Sequence, residues 1–297
     1  MATHTASMHA RSWLFAPGDS ERKMEKATAG SADIVILDLE DAVAEAEKPK
    51  ARSMVSAFLK TNAVHRERLW VRINPIQEAH GLADLVAVMP AAPGGIMLPK
   101  PRGRADAELL DHYLTALEAA SGLAPPGATP VMLLATETPE SMLAIGSYAG
   151  VARVVAMSWG GEDLATALGA IDNKGEYGGY SFTYELARSL CLLGAAAAGV
   201  APIETIHGDF RDEAGLRKRA AAVRRAGYRG MLAIHPAQVD VINEAFTPSA
   251  EEIAAAEETI ALFAAHPGAG TIGHKGAMLD RPHLARAQAV LALASRR

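Results

Sequence analysis

Eight apolar runs of strand length recur along the chain, each followed by a longer segment, and this alternation most constrains the fold. The runs are SWLFAPG, DIVILDLED, RLWVRINP, GGIMLPK, TPVMLLATET, RVVAMSWGG, APIETIHGDF and RGMLAIHP. Helical periodicity between them is clear over 21–29, 48–60, 105–121, 141–149, 184–198 and 213–226. Because such units need right-handed crossovers into a parallel sheet, eight of them in about 250 residues predict an α/β fold of the (β/α)8 TIM-barrel type. A doubly wound open sheet is the alternative.

A tail follows the eighth unit. Two segments of helical period, SAEEIAAAEETIALFAAH and PHLARAQAVLALASRR, flank the stretch HPGAGTIGHKGAMLD, whose glycines are typical of a mobile loop. We therefore expect a barrel catalytic domain over 1–246 and a C-terminal helical extension over 247–297. The extension carries Asp280 and is expected to act as a lid or as an arm that reaches a neighbouring subunit.

Composition excludes several classes of partner. The net charge is −5 over 297 residues and no basic block is present, which argues against nucleic-acid binding. No apolar run approaches the roughly 18 to 20 residues of a membrane span, and the opening MATHTASMHA is unlike a signal peptide. The single cysteine, Cys191, lies in a helical pattern and is expected to be buried and reduced. These features predict a soluble cytoplasmic protein with no membrane partner.

Polar residues concentrate where the predicted strands end. They include Asp38, Glu40, Asp41, Arg72, Lys100, Glu137, Asp163 and His235. In a barrel, the loops at the carboxyl ends of the strands form the open cavity, and active sites lie there. The pattern therefore predicts an active site at this end.

The chemistry of this set favours a hard cation. Several carboxylates occur without a Cys/His group, which disfavours zinc. Magnesium usually binds one or two carboxylates, with water and substrate oxygens completing its shell. Glu137 and Asp163 are the predicted ligands of Mg2+, or of Mn2+, and Glu162 is expected to lie in the loop as a supporting residue. Arg72 is suited to binding a substrate carboxylate through two parallel hydrogen bonds.

Each assignment has a structural alternative. Asp163 could cap the following helix, and Arg72 could form an internal salt bridge with Asp38 and Glu40. Lys100 could be a Schiff-base lysine, although the surrounding acids would then have no role. His235 precedes a proline and is more typical of a hydrogen-bonded core or rim histidine than of a base.

The order of several motifs identifies a family resemblance. They are RSWLFAPGDSERKMEKA, ADIVILDLEDAV, VRIN, MLPK, ETPESM, GGEDLATALG, FRDEAGL, AIHPAQVDVINEAFTPS and GAMLDRPHLARAQ. Together they span nearly the whole chain. The chain resembles the citrate lyase β-subunit-like family of HpcH/HpaI-type aldolases, most closely its CoA-thioester branch, the malyl-CoA and citramalyl-CoA lyases.

The resemblance implies a Mg2+-dependent carbon–carbon lyase on a (β/α)8 barrel, commonly assembled as a homotrimer or hexamer. In this family pattern Glu137 and Asp163 match the metal ligands, and Arg72 matches the arginine that binds the substrate carboxylate. Contacts to the acyl-CoA thioester are matched by Phe15, Arg22, Lys26, Ile234 and His235. Arg22 and Lys26 lie four residues apart in a predicted helix, so they share one face and suit an anionic ligand. Asp38, Glu40, Asp41 and Lys100 are expected to support the site.

The tail also gains a role from the resemblance. Asp280 matches an acid/base residue that relatives acting on CoA thioesters receive from a neighbouring subunit. Phe15 stands where some relatives have tyrosine, so the acyl preference stays open. The implied reaction converts malyl-CoA, methylmalyl-CoA or citramalyl-CoA to acetyl-CoA or propionyl-CoA and the 2-oxo acid glyoxylate or pyruvate. A malyl-CoA thioesterase or malate synthase-like activity, a citryl thioester lyase and a free 2-oxo acid aldolase are the alternatives.

Overall fold

Eight parallel strands close into a barrel in chain order, which confirms the predicted TIM-barrel fold. The computed structural model describes residues 9–122, 125–176 and 179–295. The strands are β1 Ser12–Pro17, β2 Ile34–Asp38, β3 Leu69–Arg72, β4 Gly95–Leu98, β5 Val131–Leu134, β6 Val154–Ser158, β7 Ala201–Glu204 and β8 Gly230–Ala233. All eight lie within the apolar runs that the sequence indicated, because each run is buried on both faces and reads as a continuous hydrophobic segment.

Helices connect the strands and cover the outside of the barrel. They are α1 Glu21–Thr28, α2 Lys48–Thr61, α3 Ala79–Val88, α4 Arg104–Ser121, α5 Pro139–Leu143, α6 Gly161–Leu168, α7 Phe182–Ala198, α8 Glu213–Ala226 and α9 Val239–Ala245. The helix predicted over 141–149 is wrong in detail. The chain forms the short helix α5, capped by the side chain of Thr138, and then a separate 3-10 turn over Ile145–Tyr148.

Large side chains fill the barrel interior. Trp13 and Trp70 meet edge to face with ring centroids 4.9 Å apart, within a cluster contributed by alternate residues of the strands. Gly95 is needed beside them, because a Cβ at this position would lie 2.5 Å from the Trp70 ring. The interior is thus a packed core, so an active site is expected at the ends of the strands.

Strand register aligns the carboxyl ends at one rim. Pro17 pairs with Asp38, Asp38 pairs with Arg72, and Leu134 pairs with Ser158. The loops that follow these strands therefore emerge at the same edge, which brings side chains far apart in sequence into one site.

A C-terminal unit begins at Glu244. Helices α10 (Ala250–Ala265) and α11 (Arg281–Ala294) pack together, and an antiparallel hairpin joins them through β9 (Thr271–His274) and β10 (Ala277–Asp280). The prediction of a mobile loop is therefore wrong for residues 271–280, which form this hairpin. Lys275 and Gly276 form the two-residue turn, and both have positive φ, as a tight hairpin requires.

Among the described residues, no helix combines the length and the apolar character that crossing a membrane requires.

Candidate active site

Arg72, the last residue of β3, is buried between acids from the turn after β2. Its Nε and Nη2 donate to the two carboxylate oxygens of Asp38 at 2.7 and 2.6 Å, and Nη1 lies 2.7 Å from Glu40 Oε2. The internal salt bridge anticipated as an alternative is therefore present. Because Asp38 occupies the Nε–Nη2 edge, a ligand can use only the remaining N–H groups of Nη1 and Nη2. The ring of Phe15 on β1 lies 4.9 Å from the guanidinium carbon.

Lys100 joins the acids after β2 to α6. Its Nζ lies 2.5 Å from Glu40 Oε1, 3.4 Å from Asp41 Oδ1 and 3.1 Å from Asp163 Oδ1. Although burial opposes the charged form, the hydrogen bond and charge of Glu40, together with Asp163, raise the pKa of Lys100 above its usual value. The ammonium form has no free electron pair, so the structure does not support the Schiff-base alternative.

Glu137 follows β5 and is buried. Its Oε2 accepts the backbone N–H of Lys100 at 2.9 Å. Burial and the nearby charges of Asp163 and Glu40 raise the pKa of Glu137 well above its usual range, against the opposing charge of Arg72. The negative charge at Glu137 is thus incompletely compensated by the protein itself.

Gly160 makes room for that side chain. A Cβ at Gly160 would lie 2.8 Å from both Cγ and Oε1 of Glu137. The sequence suggests that the glycines of SWGGEDL allow a ligand to approach the strand end. In the structure, Gly160 instead admits a side chain of the protein.

Asp163 lies in the first turn of α6, partly buried, with Lys100 beside it. Gly160 is the N-cap residue of this helix, so Asp163 does not occupy the capping position. Glu162 is exposed and accepts a hydrogen bond from Asn173 Nδ2 at 2.8 Å. Of the two adjacent acids, Asp163 is the one that contacts Lys100.

The donor set fits magnesium. Within the described ranges, no three His, Cys, Asp or Glu side chains are grouped to hold a metal. Two carboxylates, Glu137 and Asp163, meet the number that Mg2+ commonly takes from a protein. Their mutual repulsion, expressed in the raised pKa of Glu137, would be relieved by a divalent cation between them.

A second group of predicted residues lies at the rim near β1 and β8, which are neighbouring strands. Arg22 and Lys26 are exposed on α1, and Ile234 is 39% exposed after β8. His235 follows β8 and is a hydrogen-bonded histidine, because its Nδ1 accepts the Ala237 N–H at 3.1 Å. Its ring stacks on Phe210 with centroids 4.6 Å apart. Phe210 is not predicted by the sequence, where its signal is an aromatic residue soon after β7.

Comparison with known proteins places the chain in a family. The model of the HpcH/HpaI aldolase/citrate lyase family matches residues 11–236. The chain belongs to the HpcH/HpaI aldolase/citrate lyase family. The resemblance found in the sequence is thereby confirmed, as is the prediction of an enzyme of the lyase class.

Two relatives with known names are similar to this chain over nearly its whole length. A (3S)-malyl-CoA thioesterase of Cereibacter sphaeroides is 36% identical over 287 residues, covering 96% of this chain and 94% of the relative. A mitochondrial citramalyl-CoA lyase of Rattus norvegicus is 33% identical over 296 residues, covering 96% of this chain and 86% of the relative.

The CitE protein of Mycobacterium tuberculosis, solved in complex with magnesium, acetoacetate and coenzyme A, superposes with a TM-score of 0.79 at 32% identity. That match covers 97% of this chain and all of the other. Another structure of CitE contains magnesium and pyruvate. Magnesium in these relatives agrees with the cofactor predicted for this family member.

The acid in the tail of this family member has a local role in the structure. Asp280 is the N-cap residue of α11, and its carboxylate accepts the backbone N–H of His283 at 3.3 Å. A second hydrogen bond, to the His283 ring, lowers the pKa of Asp280. Asp280 is consequently a carboxylate at neutral pH.

Proposed function

We propose that this protein is a Mg2+-dependent lyase that reversibly cleaves a carbon–carbon bond of a 3-hydroxyacyl-CoA such as malyl-CoA, methylmalyl-CoA or citramalyl-CoA. The products are acetyl-CoA or propionyl-CoA and glyoxylate or pyruvate. The observation that carries the proposal is the arrangement of Glu137, Asp163 and Arg72 at one end of the barrel, with Lys100 between the acids. The CoA-bound relative supports the substrate class.

Glu137 and Asp163 would hold the cation. When bound, Mg2+ would supply Lewis-acid polarisation of the substrate hydroxyl oxygen, which becomes the oxo oxygen of glyoxylate or pyruvate. Lys100 keeps Asp163 near Glu40 and Asp41 through its ion pairs, so the position of the Asp163 carboxylate depends on two other acids and one ammonium group.

Arg72 would bind the carboxylate of the 2-oxo acid portion. Its guanidinium is always charged, and the bonds from Asp38 and the ion pair with Glu40 restrict its rotation. An N–H of Nη1 or Nη2 that these acids do not occupy would then donate to the substrate from a fixed position, which reduces the entropy lost on binding.

The thioester portion would extend along the rim. Arg22 and Lys26 offer positive charge to the phosphates of CoA, while Phe15, Ile234 and His235 offer apolar and polar surface to the rest of the thioester. A free 2-oxo acid aldolase would not need this second group of residues.

Asp280 would be the acid/base group, delivered from the C-terminal extension of a neighbouring subunit in a homotrimer or hexamer. In the condensing direction its carboxylate would remove a proton from the methyl carbon of acetyl-CoA, and the new alkoxide oxygen takes a proton from water. In cleavage the hydroxyl proton passes to water, and protonated Asp280 gives its proton to the enolate carbon. The lowered pKa of Asp280 keeps the base form available at neutral pH.

A thioesterase is the second candidate, and the 36% identity to a (3S)-malyl-CoA thioesterase favours it. In that reaction water attacks the thioester carbonyl carbon, the carbon–sulfur bond breaks, and the free hydroxy acid and CoA are released. The carbon–carbon bond stays intact, so the two activities differ in their products.

One experiment tests both candidates. The enzyme is incubated with Mg2+ and a panel of thioesters, including stereoisomers of malyl-, methylmalyl- and citramalyl-CoA together with citryl-CoA. Chromatography then scores both product sets. The lyase yields a 2-oxo acid with an acyl-CoA, whereas the thioesterase yields the hydroxy acid with CoA. Full turnover after exhaustive EDTA treatment, or in Glu137→Gln, would exclude the proposed role of the metal site.

A further inference from the structure

Glu204 is a buried carboxylate that the proposed reaction does not use. It is the last residue of β7 and has no exposed surface. Arg219 Nη2 donates to its Oε1 at 2.6 Å, and Arg188 Nε lies 3.2 Å from its Oε2. Burial of a carboxylate is unfavourable unless it is paired, and two arginines form ion pairs with Glu204.

The third partner of Glu204 is an indole. Trp159 Nε1 donates to Glu204 Oε1 at 3.2 Å, and Trp159 is itself fully buried. The indole N–H is the only hydrogen-bond donor of a tryptophan side chain. This bond therefore links the end of β7 to the residue that directly follows β6.

Aromatic packing encloses the same tryptophan. Tyr180 meets Trp159 edge to face with centroids 4.9 Å apart, and the Arg219 guanidinium carbon lies 5.3 Å from the Tyr180 centroid. A Cβ at Gly161 would lie 3.2 Å from the Tyr180 ring and 3.3 Å from that of Trp159. The turn over 159–161 is thus packed against Glu204 and its partners through Trp159 and Tyr180.

The same turn determines where the two metal carboxylates lie. Its central residue, Gly160, is the one whose Cβ would overlap Glu137, and the helix that begins at Gly161 carries Asp163 in its first turn. A displacement of Trp159 would therefore move Asp163 relative to Glu137.

We propose that Glu204 is a positioning residue for the metal site. It acts through Trp159 and keeps Glu137 and Asp163 at a separation that suits one divalent cation. The inference rests on the proposed function, because it takes these two acids as the metal carboxylates.

Magnesium titration of the full-length protein tests the inference. The Kd of Mg2+ is measured by calorimetry for wild type, Glu204→Gln and Trp159→Phe, with the free energy of unfolding measured in urea. Trp159→Phe keeps an aromatic ring but removes the N–H donor to Glu204. Both variants are expected to raise the Kd about tenfold or more, as loss of a residue that orients a metal ligand does. In the double variant, the loss of Mg2+ binding free energy is expected to be smaller than the sum of the losses in the two single variants, because each substitution breaks the same contact.

Glu118→Gln is the matched control. Glu118 is equally buried and paired, with Arg153 Nη1 donating to its Oε1 at 2.8 Å, and it accepts the backbone N–H of Thr129. It lies near the amino ends of β5 and β6, away from the metal carboxylates. We expect this variant to lower the free energy of unfolding without changing the Kd of Mg2+.

Three outcomes would overturn the inference. Wild-type Kd in Trp159→Phe and in a folded Glu204→Gln would show that the contact does not position the carboxylates. Equal increases in Glu204→Gln and Glu118→Gln would assign the effect to general destabilisation. Absence of Mg2+ binding by wild type would refute the proposed function itself and this inference with it, a pattern distinct from the other two.

Discussion

Gly160→Ala is predicted to disable the metal site through a single methyl group. The backbone at Gly160 has φ −126° and ψ 120°, a conformation that alanine adopts without strain. The added Cβ would nevertheless lie 2.8 Å from Cγ and Oε1 of Glu137. This is closer than the ordinary contact of about 3.5 Å between carbon atoms by roughly 0.7 Å.

The clash cannot be avoided by a small movement of one flexible group. Glu137 is buried, and the overlap involves Cγ as well as the end of the side chain, so either the carboxylate or the 159–161 turn must move. Overpacking of this kind costs about 1–3 kcal/mol of stability. Mg2+ demands near-ideal octahedral geometry, so a shift of this size is expected to raise its Kd at least about tenfold, equivalent to about 1.4 kcal/mol.

The assay is calorimetric titration with Mg2+, together with urea unfolding and lyase turnover. Gly146→Ala is the control, because a Cβ at Gly146 meets no atom within 4 Å and its φ is not positive. This variant is expected to match wild type in all three measurements. A wild-type Mg2+ Kd in Gly160→Ala would refute the reasoning, since it would mean that Glu137 tolerates the displacement or does not bind the cation.

Three further predictions follow from the charges of the site. Borohydride reduction in the presence of pyruvate should leave the mass of the wild-type protein unchanged, because Lys100 is held in its ammonium form; a reduced adduct on Lys100, found by mass spectrometry, would contradict this. Burial is the main cause that raises the pKa of Glu40 from 4.5 to about 7. Between these values the folded protein binds more protons than the unfolded chain, so this group makes the free energy of unfolding fall as pH rises. Glu40→Gln should flatten that slope in urea unfolding from about pH 4.5 to 7, and an unchanged slope would argue against the assignment. Asp280→Ala should lower kcat at least about 100-fold with little change in KM for the acyl-CoA, whereas wild-type rates would remove Asp280 from the chemistry.

Much of the fold is readable from the sequence because its determinants are local. Each strand is predicted by an apolar run, and the polar residues after each run indicate the rim at which the parallel strands end. The buried state of Cys191 was predicted from helical period and is confirmed. The 271–280 hairpin is not predicted by the sequence, because its glycines are equally typical of a mobile loop. In the structure Gly276 allows a tight turn.

The partners of the side chains are decided only when the barrel closes. The positions of Arg72 and Lys100 at the ends of apolar runs predict that both lie at the carboxyl ends of strands. They do not predict that Asp38 occupies the Nε–Nη2 edge of the guanidinium or that Lys100 reaches Asp163 on α6. The sequence does not single out Glu204 within the run APIETIHGDF, because its ion pairs are with arginines on α7 and α8.

The kind of fold and the rim at which polar residues collect are thus encoded in the order of the apolar runs and of the residues that follow them. Tertiary structure decided which carboxylates contact Lys100 or Arg72, as Asp163 and Glu40 do, and which, like Glu137, are buried with a raised pKa. The physical reason is that the distribution of charge depends on distances of a few ångströms between loops that barrel closure alone brings together.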